Sequence, residues 1–224
     1  MSDNTQIKPV PWDQRAFGFA CYEIVDVSPA VLERSLATPG HYTVKVDPLA
    51  DKSALQRCGF YYCDTLIEPW CTSDRLIKFS RDGMSFSTAV SVDSIVDICR
   101  SAFLYGRFHR DFNIDRKKAD ARYENWLREL HAAGKVYGLL LEDKVAGFIA
   151  HSEGRLVLHA MSAACRGKGL AKFFWSRVCR QLFDDGHAEI QSSISFVNIA
   201  VINLYAGLGF RFRAPVDVYH RMVP

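Results

Sequence analysis

No stretch of the 224-residue chain approaches the ~18–20 consecutive apolar residues that a membrane-spanning helix needs. The polar start MSDNTQIKP carries no apolar core of the kind a secretion signal has. Seven cysteines stand at positions 21, 58, 63, 71, 99, 165 and 179, an odd set with no Cys-x-x-Cys pair and no histidine pattern nearby for zinc. These absences point to reduced thiols, a cytoplasmic chain and no metal. Cys165, although it lies in the segment treated below, is read as a packing residue.

Long runs of one charge are missing too. The 28 Lys and Arg against 25 Asp and Glu leave a formal net charge of +3 and a pI near 8.4, with the basic residues scattered. Nothing there demands nucleic acid, and the Arg-Lys-Lys at 116–118 reads as a solvated helix start. A mildly positive chain suits anionic small molecules. The two familiar phosphate loops are absent: there is no Gly-x-x-x-x-Gly-Lys-Ser/Thr, and no Gly-x-Gly-x-x-Gly after a strand with an acidic residue at the right distance. With 49 % hydrophobic and 24 % charged residues, the chain is an ordinary globular one, long enough for one large or two small domains.

What is present is concentrated between Leu156 and Ala171, LVLHAMSAACRGKGLA. A short apolar run, Leu156 to Leu158, breaks into small residues. Arg166-Gly167-Lys168-Gly169-Leu170-Ala171 then opens a helical pattern whose inner face carries Leu170, Phe173, Phe174, Val178 and Leu182. A helix N-terminus leaves about four N–H groups unpaired and carries roughly half a positive charge, so it can hold a phosphate. Glycines let the backbone approach the anion, and Arg166 and Lys168 add charge beside it.

Some thirty residues on, Asn198-Ile-Ala-Val-Ile-Asn-Leu-Tyr205-Ala-Gly-Leu-Gly209-Phe210 reads as a short helix that starts after Asn198 and closes on Gly209, with a strand from Phe210. Arg-x-x-Gly-x-Ala after a strand, then Asn followed seven residues later by Tyr and then Gly-Phe, resembles the acetyl-CoA-binding core of the GNAT superfamily of N-acetyltransferases. The resemblance implies an α/β fold, a mixed and mostly antiparallel sheet flanked by helices that splays to admit the pantetheine arm. It implies acetyl-CoA as co-substrate. Backbone N–H groups near Met161 would bind the acetyl carbonyl and pantetheine. Those of Gly167, Lys168, Gly169, Leu170 and Ala171 would bind the pyrophosphate beside Arg166, and Asn198 a pantetheine amide. Tyr205, its hydroxyl aimed at the CoA sulfur, would donate a proton to the departing thiolate, since with a reference pKa near 10 it is protonated at neutral pH.

In chain order, strands are expected at Cys21 to Val27, His41 to Val46 and Phe60 to Ile67, and helices at Val31 to Ala37 and Asp51 to Cys58. Leu55-Gln-Arg-Cys-Gly59-Phe60 echoes Tyr205-Ala-Gly-Leu-Gly209-Phe210 at an offset of 150 residues, without the tyrosine and without a phosphate loop before it. This is either a truncated GNAT-like module or a common helix-glycine-strand junction. Polar breaks between Glu68 and Asp82 give a division into 1–80, a truncated GNAT-like domain, and 81–224, the acetyltransferase domain. Further strands are expected at Ser85 to Val90, Tyr137 to Leu141, Val145 to His151, Glu189 to Ser195 and Val216 to Arg221. Helices are expected at Val92 to Phe103 and after Asp115.

The loop Gly106 to Phe112 mixes charge and aromatics densely. In the GNAT order it borders the acceptor, which makes Arg107, His109 and Asp111 the expected substrate contacts, with Arg107 a clamp for phosphate or carboxylate. The segment, the Lys-Ala-Asp-x-x-Tyr-x-x-Trp helix after it, and Trp12, Phe17 and Gly18 resemble the TDP-fucosamine acetyltransferase branch. That branch implies a nucleotide-linked (TDP or UDP) deoxy-amino sugar of polysaccharide biosynthesis as acceptor. An amino acid, polyamine or peptide amine is the alternative acceptor, and a non-catalytic acyl-CoA-binding module the alternative of another kind. His109, Asp111 and His159 are the candidates for a general base, and pairing through Val216 to Arg221 would allow a homodimer.

Overall fold

In a computed structural model the described residues are 6–103 and 106–224. The elements run β1 (Ile7–Pro9), α1 (Pro11–Phe17), β2 (Cys21–Ile24), α2 (Pro29–Ser35), β3 (Gly40–Val46), α3 (Ser53–Arg57), β4 (Tyr61–Thr72), β5 (Met84–Ser87) and α4 (Val92–Arg100). There follow α5 (Arg116–Ala132), β6 (Val136–Leu141), β7 (Lys144–Ser152), β8 (Arg155–Met161), α6 (Ala171–Asp184), β9 (Glu189–Ser192), β10 (Ile194–Ser195), α7 (Ile199–Gly207) and β11 (Arg211–Val223). None of the described helices is long and apolar enough to cross a membrane.

The chain forms two compact units. The first holds residues 6–66, 106–122 and 215–224, and the second holds 67–103 and 123–214. The expected division at residue 80 is sequential, whereas these units are not. Segment 106–122 joins the first because Phe108, Ile114 and Ala119 bury themselves with Val10, Phe17 and Cys21 in one apolar cluster; removing that surface from water is the driving force.

In the first unit the strand order is β1-β2-β3-β11-β4. β2 and β3 run parallel, Cys21 opposite His41, and parallel neighbours need a crossover, which α2 supplies. Pro29 at the first helical position suits that start. The C-terminal half of β11 pairs antiparallel with β3 from Val46↔Asp217 to Gly40↔Val223. That edge, expected to offer itself to a second subunit, is therefore already paired within the chain. Ile24, Leu32, Tyr42, Val44, Leu55 and Phe60 form the core.

In the second unit the order is β4-β9-β8-β7-β6-β5. β5 to β8 are an antiparallel meander. Glu142 and Asp143, with φ of 49° and 62°, close one hairpin, and Glu153 and Gly154, with 49° and 74°, close the next. Two successive residues at positive φ match the right-handed twist of flanking strands. α6 and α7 cover one face through Phe174, Val178, Leu182, Tyr205 and Leu208. α4 and α5 cover the other through Ile95, Val96, Leu127 and Leu130 against Phe148, Leu158 and Ala160.

The last strand differs from expectation. Instead of two pieces there is one 13-residue strand, β11, with Ala214 at φ 49° ahead of Pro215. The local break that reads as a gap between strands is a kink within one.

Candidate active site

The site is built where β8 gives way to α6, inside the second unit. Ser162 N donates to Ala146 O at 2.8 Å, and Cys165 N and Arg166 N both donate to Ser162 O, at 2.9 and 3.1 Å. This folds the chain back into a turn. Gly167 and Gly169 complete it at φ of 72° and 67°, a region that costs other L-residues about 1–2 kcal/mol. A Cβ at either position would meet nothing within 4 Å. The glycines are therefore required by backbone shape, and the space above them is open.

α6 starts at Ala171 with Leu170 at its cap, no side-chain cap hydrogen bond and no acidic residue in its first turn. The positive end of a 14-residue helix is left uncompensated by its own cap and first turn, which is what an anion site needs. Lys168 is exposed beside it. Arg166, expected beside the anion, also straps the turn. Its Nε donates to Met161 O at 2.8 Å, its Nη1 to Ser101 O at 3.2 Å and its Nη2 to Ser101 Oγ at 3.3 Å. The end of β8, the turn and the C-cap of α4 are held by one guanidinium.

β8 and β9 pair in parallel only at Arg155↔Gln191 and Leu156↔Ser192. Ser192 Oγ donates to Leu156 O at 2.7 Å at that last rung. β9 then stops while β8 continues to Met161, so the two strands part. Tyr205 stands beside the parting, wholly buried, and its hydroxyl is hydrogen-bonded to His159 Nε2 at 3.0 Å. Trp175 meets His159 edge-on, centroids 5.1 Å apart. Burial pushes the Tyr205 hydroxyl well above its ordinary pKa. Burial likewise lowers His159 to about 4, so at neutral pH it is an uncharged imidazole able to accept the tyrosine proton in a hydrogen bond. Of the pair, it is His159 that keeps some exposed surface.

Asn198 caps α7, its Oδ1 accepting from Val201 N at 3.3 Å. Met161, Arg166 to Ala171, Asn198 and Tyr205 thus all belong to the second unit. Arg107, His109 and Asp111 belong to the first. Arg107 lies over the Phe108 ring, Cζ 4.7 Å from its centroid. The side chains of His109 and Asp111 have no exposed surface: His109 Nε2 lies 2.8 Å from Asp120 Oδ1, and Asp111 bonds to His41 and His220. Phe108, 1 % exposed, pins the segment into the core and turns its polar neighbours inward. The apolar anchor between the charges, rather than the charge density of the segment, decides where these side chains lie.

Sequence reasoning missed Trp175 and Ser192 as companions of Tyr205. Trp175 falls at i+5 from Leu170, off the apolar stripe by which α6 is recognised, and Ser192 carries no signal of its own.

Comparison with curated proteins finds no match. Among solved structures, a GCN5-related N-acetyltransferase from Sphaerobacter thermophilus aligns over 97 % of this chain and 76 % of that one, at 11 % identity and TM-score 0.66. A tandem GNAT protein from the clavulanic acid biosynthesis pathway aligns over 91 % and 75 %, at 11 % identity and TM-score 0.56. A GCN5-related glucosamine N-acetyltransferase region of a fungal multi-domain GH3 β-N-acetylglucosaminidase aligns over 81 % of this chain and 25 % of that one, at 9 % identity and TM-score 0.54. These likenesses are of fold. The model of the acetyltransferase (GNAT) family matches residues 97–210, just over half the chain, from α4 through the glycine turn to the end of α7. A match of that extent shows that the chain belongs to the GNAT family of acetyl-CoA-dependent N-acetyltransferases, which move an acetyl group from acetyl-CoA to an amine.

Proposed function

We propose that the protein acetylates the amine of a nucleotide-linked deoxy-amino sugar, by direct transfer within a ternary complex. The observation that carries the chemistry is the buried Tyr205–His159 hydrogen bond beside the parting of β8 and β9. An acetyl transfer needs a neutral attacking amine, a donor for the tetrahedral oxyanion and a proton for the leaving thiolate. In this reading the N–H groups of Gly167 to Ala171 hold the pyrophosphate of CoA, and the backbone near Met161 holds the acetyl carbonyl. Asn198 keeps its amide nitrogen for the pantetheine while its oxygen caps α7. The amine attacks the thioester carbon, the tetrahedral species collapses with cleavage of the C–S bond, the phenolic proton of Tyr205 passes to the departing thiolate, and the proton lost by the acylated nitrogen returns to the tyrosinate through water. His159 holds the hydroxyl in place beforehand. No covalent enzyme intermediate is needed; positioning and electrostatics suffice.

The sugar rests on the resemblance of the 106–130 segment to the nucleotide amino-sugar branch and on the mild positive charge of the chain. Arg107 remains the expected contact for the acceptor's phosphates on grounds of charge. The reaction is placed in the cytoplasm, where acetyl-CoA and nucleotide sugars meet.

The test is release of free CoA from acetyl-CoA against a panel of TDP- and UDP-linked amino sugars, amino acids, polyamines and peptides, with wild type and Tyr205→Phe. The expected result is turnover on a nucleotide amino sugar that falls at least ~100-fold in the variant. Turnover only on polyamines or peptides discards the sugar and keeps the transfer. Tight acetyl-CoA binding with no turnover on any amine would overturn the enzyme reading in favour of a binding module.

A further inference from the structure

The first unit is assembled from three separated stretches of chain, and each sends one side chain to a common buried point. His41 comes from β3, Asp111 from the turn before α5, and His220 from β11. β3 and β11 pair with Thr43 opposite His220 and His41 opposite Met222. The two histidines are therefore diagonal neighbours on one face, their rings 4.6 Å apart and inclined at 77°.

Asp111 is aimed at both. Its Oδ1 accepts from the Tyr61 hydroxyl at 2.7 Å and from Asn113 N at 2.8 Å. That leaves Oδ2 between His41 Nε2, at 2.8 Å, and His220 Nδ1, at 2.7 Å. One ligand atom from each of the three residues lies within 4.8 Å of the others, and no side chain of the set is more than 2 % exposed. Phe108 stacks on His220 at 5.5 Å, and Phe17 stands edge-on to His41 at 6.4 Å. Among the described residues the buried Nε2 of His220, the ring nitrogen that does not meet Asp111, has no hydrogen-bond partner.

We propose that His41, Asp111 and His220 bind one divalent first-row transition ion, of which Zn²⁺ is the type, and that this ion ties together the three segments of the first unit. Two imidazoles and one carboxylate suit such an ion, whereas Ca²⁺ and Mg²⁺ favour all-oxygen sets. The carboxylate is already oriented through its second oxygen, as outer partners orient ligands at metal sites. On binding, the ion takes the lone pairs of His41 Nε2, His220 Nδ1 and one Asp111 oxygen. Each imidazole stays neutral, its hydrogen moving from the coordinating nitrogen to the other ring nitrogen. The ligand atoms separate to the roughly 3.2 Å expected around an ion with bonds of ~2.0 Å. Because the ligands have no exposed surface, the ion braces the fold and does not touch substrate. The expectation of no metal rested on local spacing, which carries no sign of this set, because Asp111 lies 70 positions from His41 and 109 from His220.

The experiment strips the full-length protein with a strong chelator and titrates it with Co²⁺, reading the visible ligand-field bands, and with Zn²⁺, reading Tm. The expected result is one Co²⁺ per chain with the intense bands of a four- or five-coordinate nitrogen/oxygen site, and a Zn²⁺-dependent rise in Tm of several degrees. Both effects should be lost in His41→Gln and Asp111→Asn and kept in His187→Gln. Weak, non-stoichiometric uptake by wild type, or responses unchanged in both site variants, overturns the proposal. Should the two variants fail to fold, the side-chain NMR signals of wild type decide: Co²⁺ must shift or broaden those of His41 and His220, and their persistence overturns it. The outcome is independent of acyl transfer.

Discussion

The two helix-glycine-strand junctions make an instructive pair. In the first unit α3 ends so that Gly59 N donates to Gln56 O at 2.9 Å and Phe60 N to Leu55 O at 2.9 Å; in the second, Gly209 N donates to Ala206 O at 3.0 Å and Phe210 N to Tyr205 O at 3.1 Å. The glycines sit at φ of 73° and 88°. The backbone device is the same one, a left-handed residue that satisfies the last carbonyls of a helix. The side chains differ. Leu55 is plain core, 2 % exposed, while Tyr205 occupies the same place with a hydroxyl bonded to His159. Asn198 caps its helix with a side chain; Lys52 does not. The repeated geometry is thus a folding solution, and the polar groups have been added to one copy only.

That contrast can be broken first at the glycines. A Cβ at Gly209 would collide with the backbone oxygen of Arg75, whereas at Gly59 it would meet only the far end of Arg221. We expect Gly209→Ala to destabilise by about 2–5 kcal/mol, left-handed strain plus overpacking that the backbone cannot relieve. Gly59→Ala should cost about 1–2 kcal/mol. Urea denaturation of both checks this, and equal costs would refute the distinction.

Next comes the split between activity and stability. Leu55→Ala should lose about 2–5 kcal/mol of stability. Tyr205→Phe should lose roughly 1 kcal/mol for the hydrogen bond, yet at least ~100-fold in kcat. Parallel denaturation and CoA-release assays read both, and a Tyr205→Phe enzyme of normal kcat would remove the tyrosine from the chemistry.

His159 makes the second unit sensitive to acid. Its native pKa of about 4 lies below the roughly 6.5 of an unfolded histidine. The unfolded state therefore binds more protons between those values, and stability rises with pH through that window. The contribution is complete above about pH 6.5 and is lost as pH falls towards 4. His159→Gln should flatten that part of the stability–pH curve; an unchanged slope would show that the imidazole is not buried neutral. The smallest effect is expected at the cap, where Asn198→Ala should cost about 1 kcal/mol, measured by thermal unfolding.

Much of the second unit was legible because its signals are local. The glycine turn, the Asn198 cap, the Gly209 stop and the acidic hairpin at Glu142-Asp143 each reside in a few consecutive residues. Asp115 as the start of α5 holds as well, its Oδ1 accepting from Lys117 N at 2.9 Å. What the chain order hides is long-range. Nothing near Asp111 says that its partners are His41 and His220, and nothing near Phe108 says that it is buried. Likewise β1 and α1 lie in a stretch where no element was expected, because three residues of strand and about two Pro-led helical turns carry too little periodicity to register.

The two-rung pairing of β8 with β9 has a thermodynamic corollary. A sheet that stops zipping partway leaves polar backbone groups whose partners must come from elsewhere, and an extended amide-bearing molecule laid in the opening supplies them. On the proposed function, recognition of the acyl carrier is the last step of folding the sheet, and its binding energy is expected to show as added resistance to unfolding and as slowed exchange of amide hydrogens between Val157 and Met161, before any acceptor arrives.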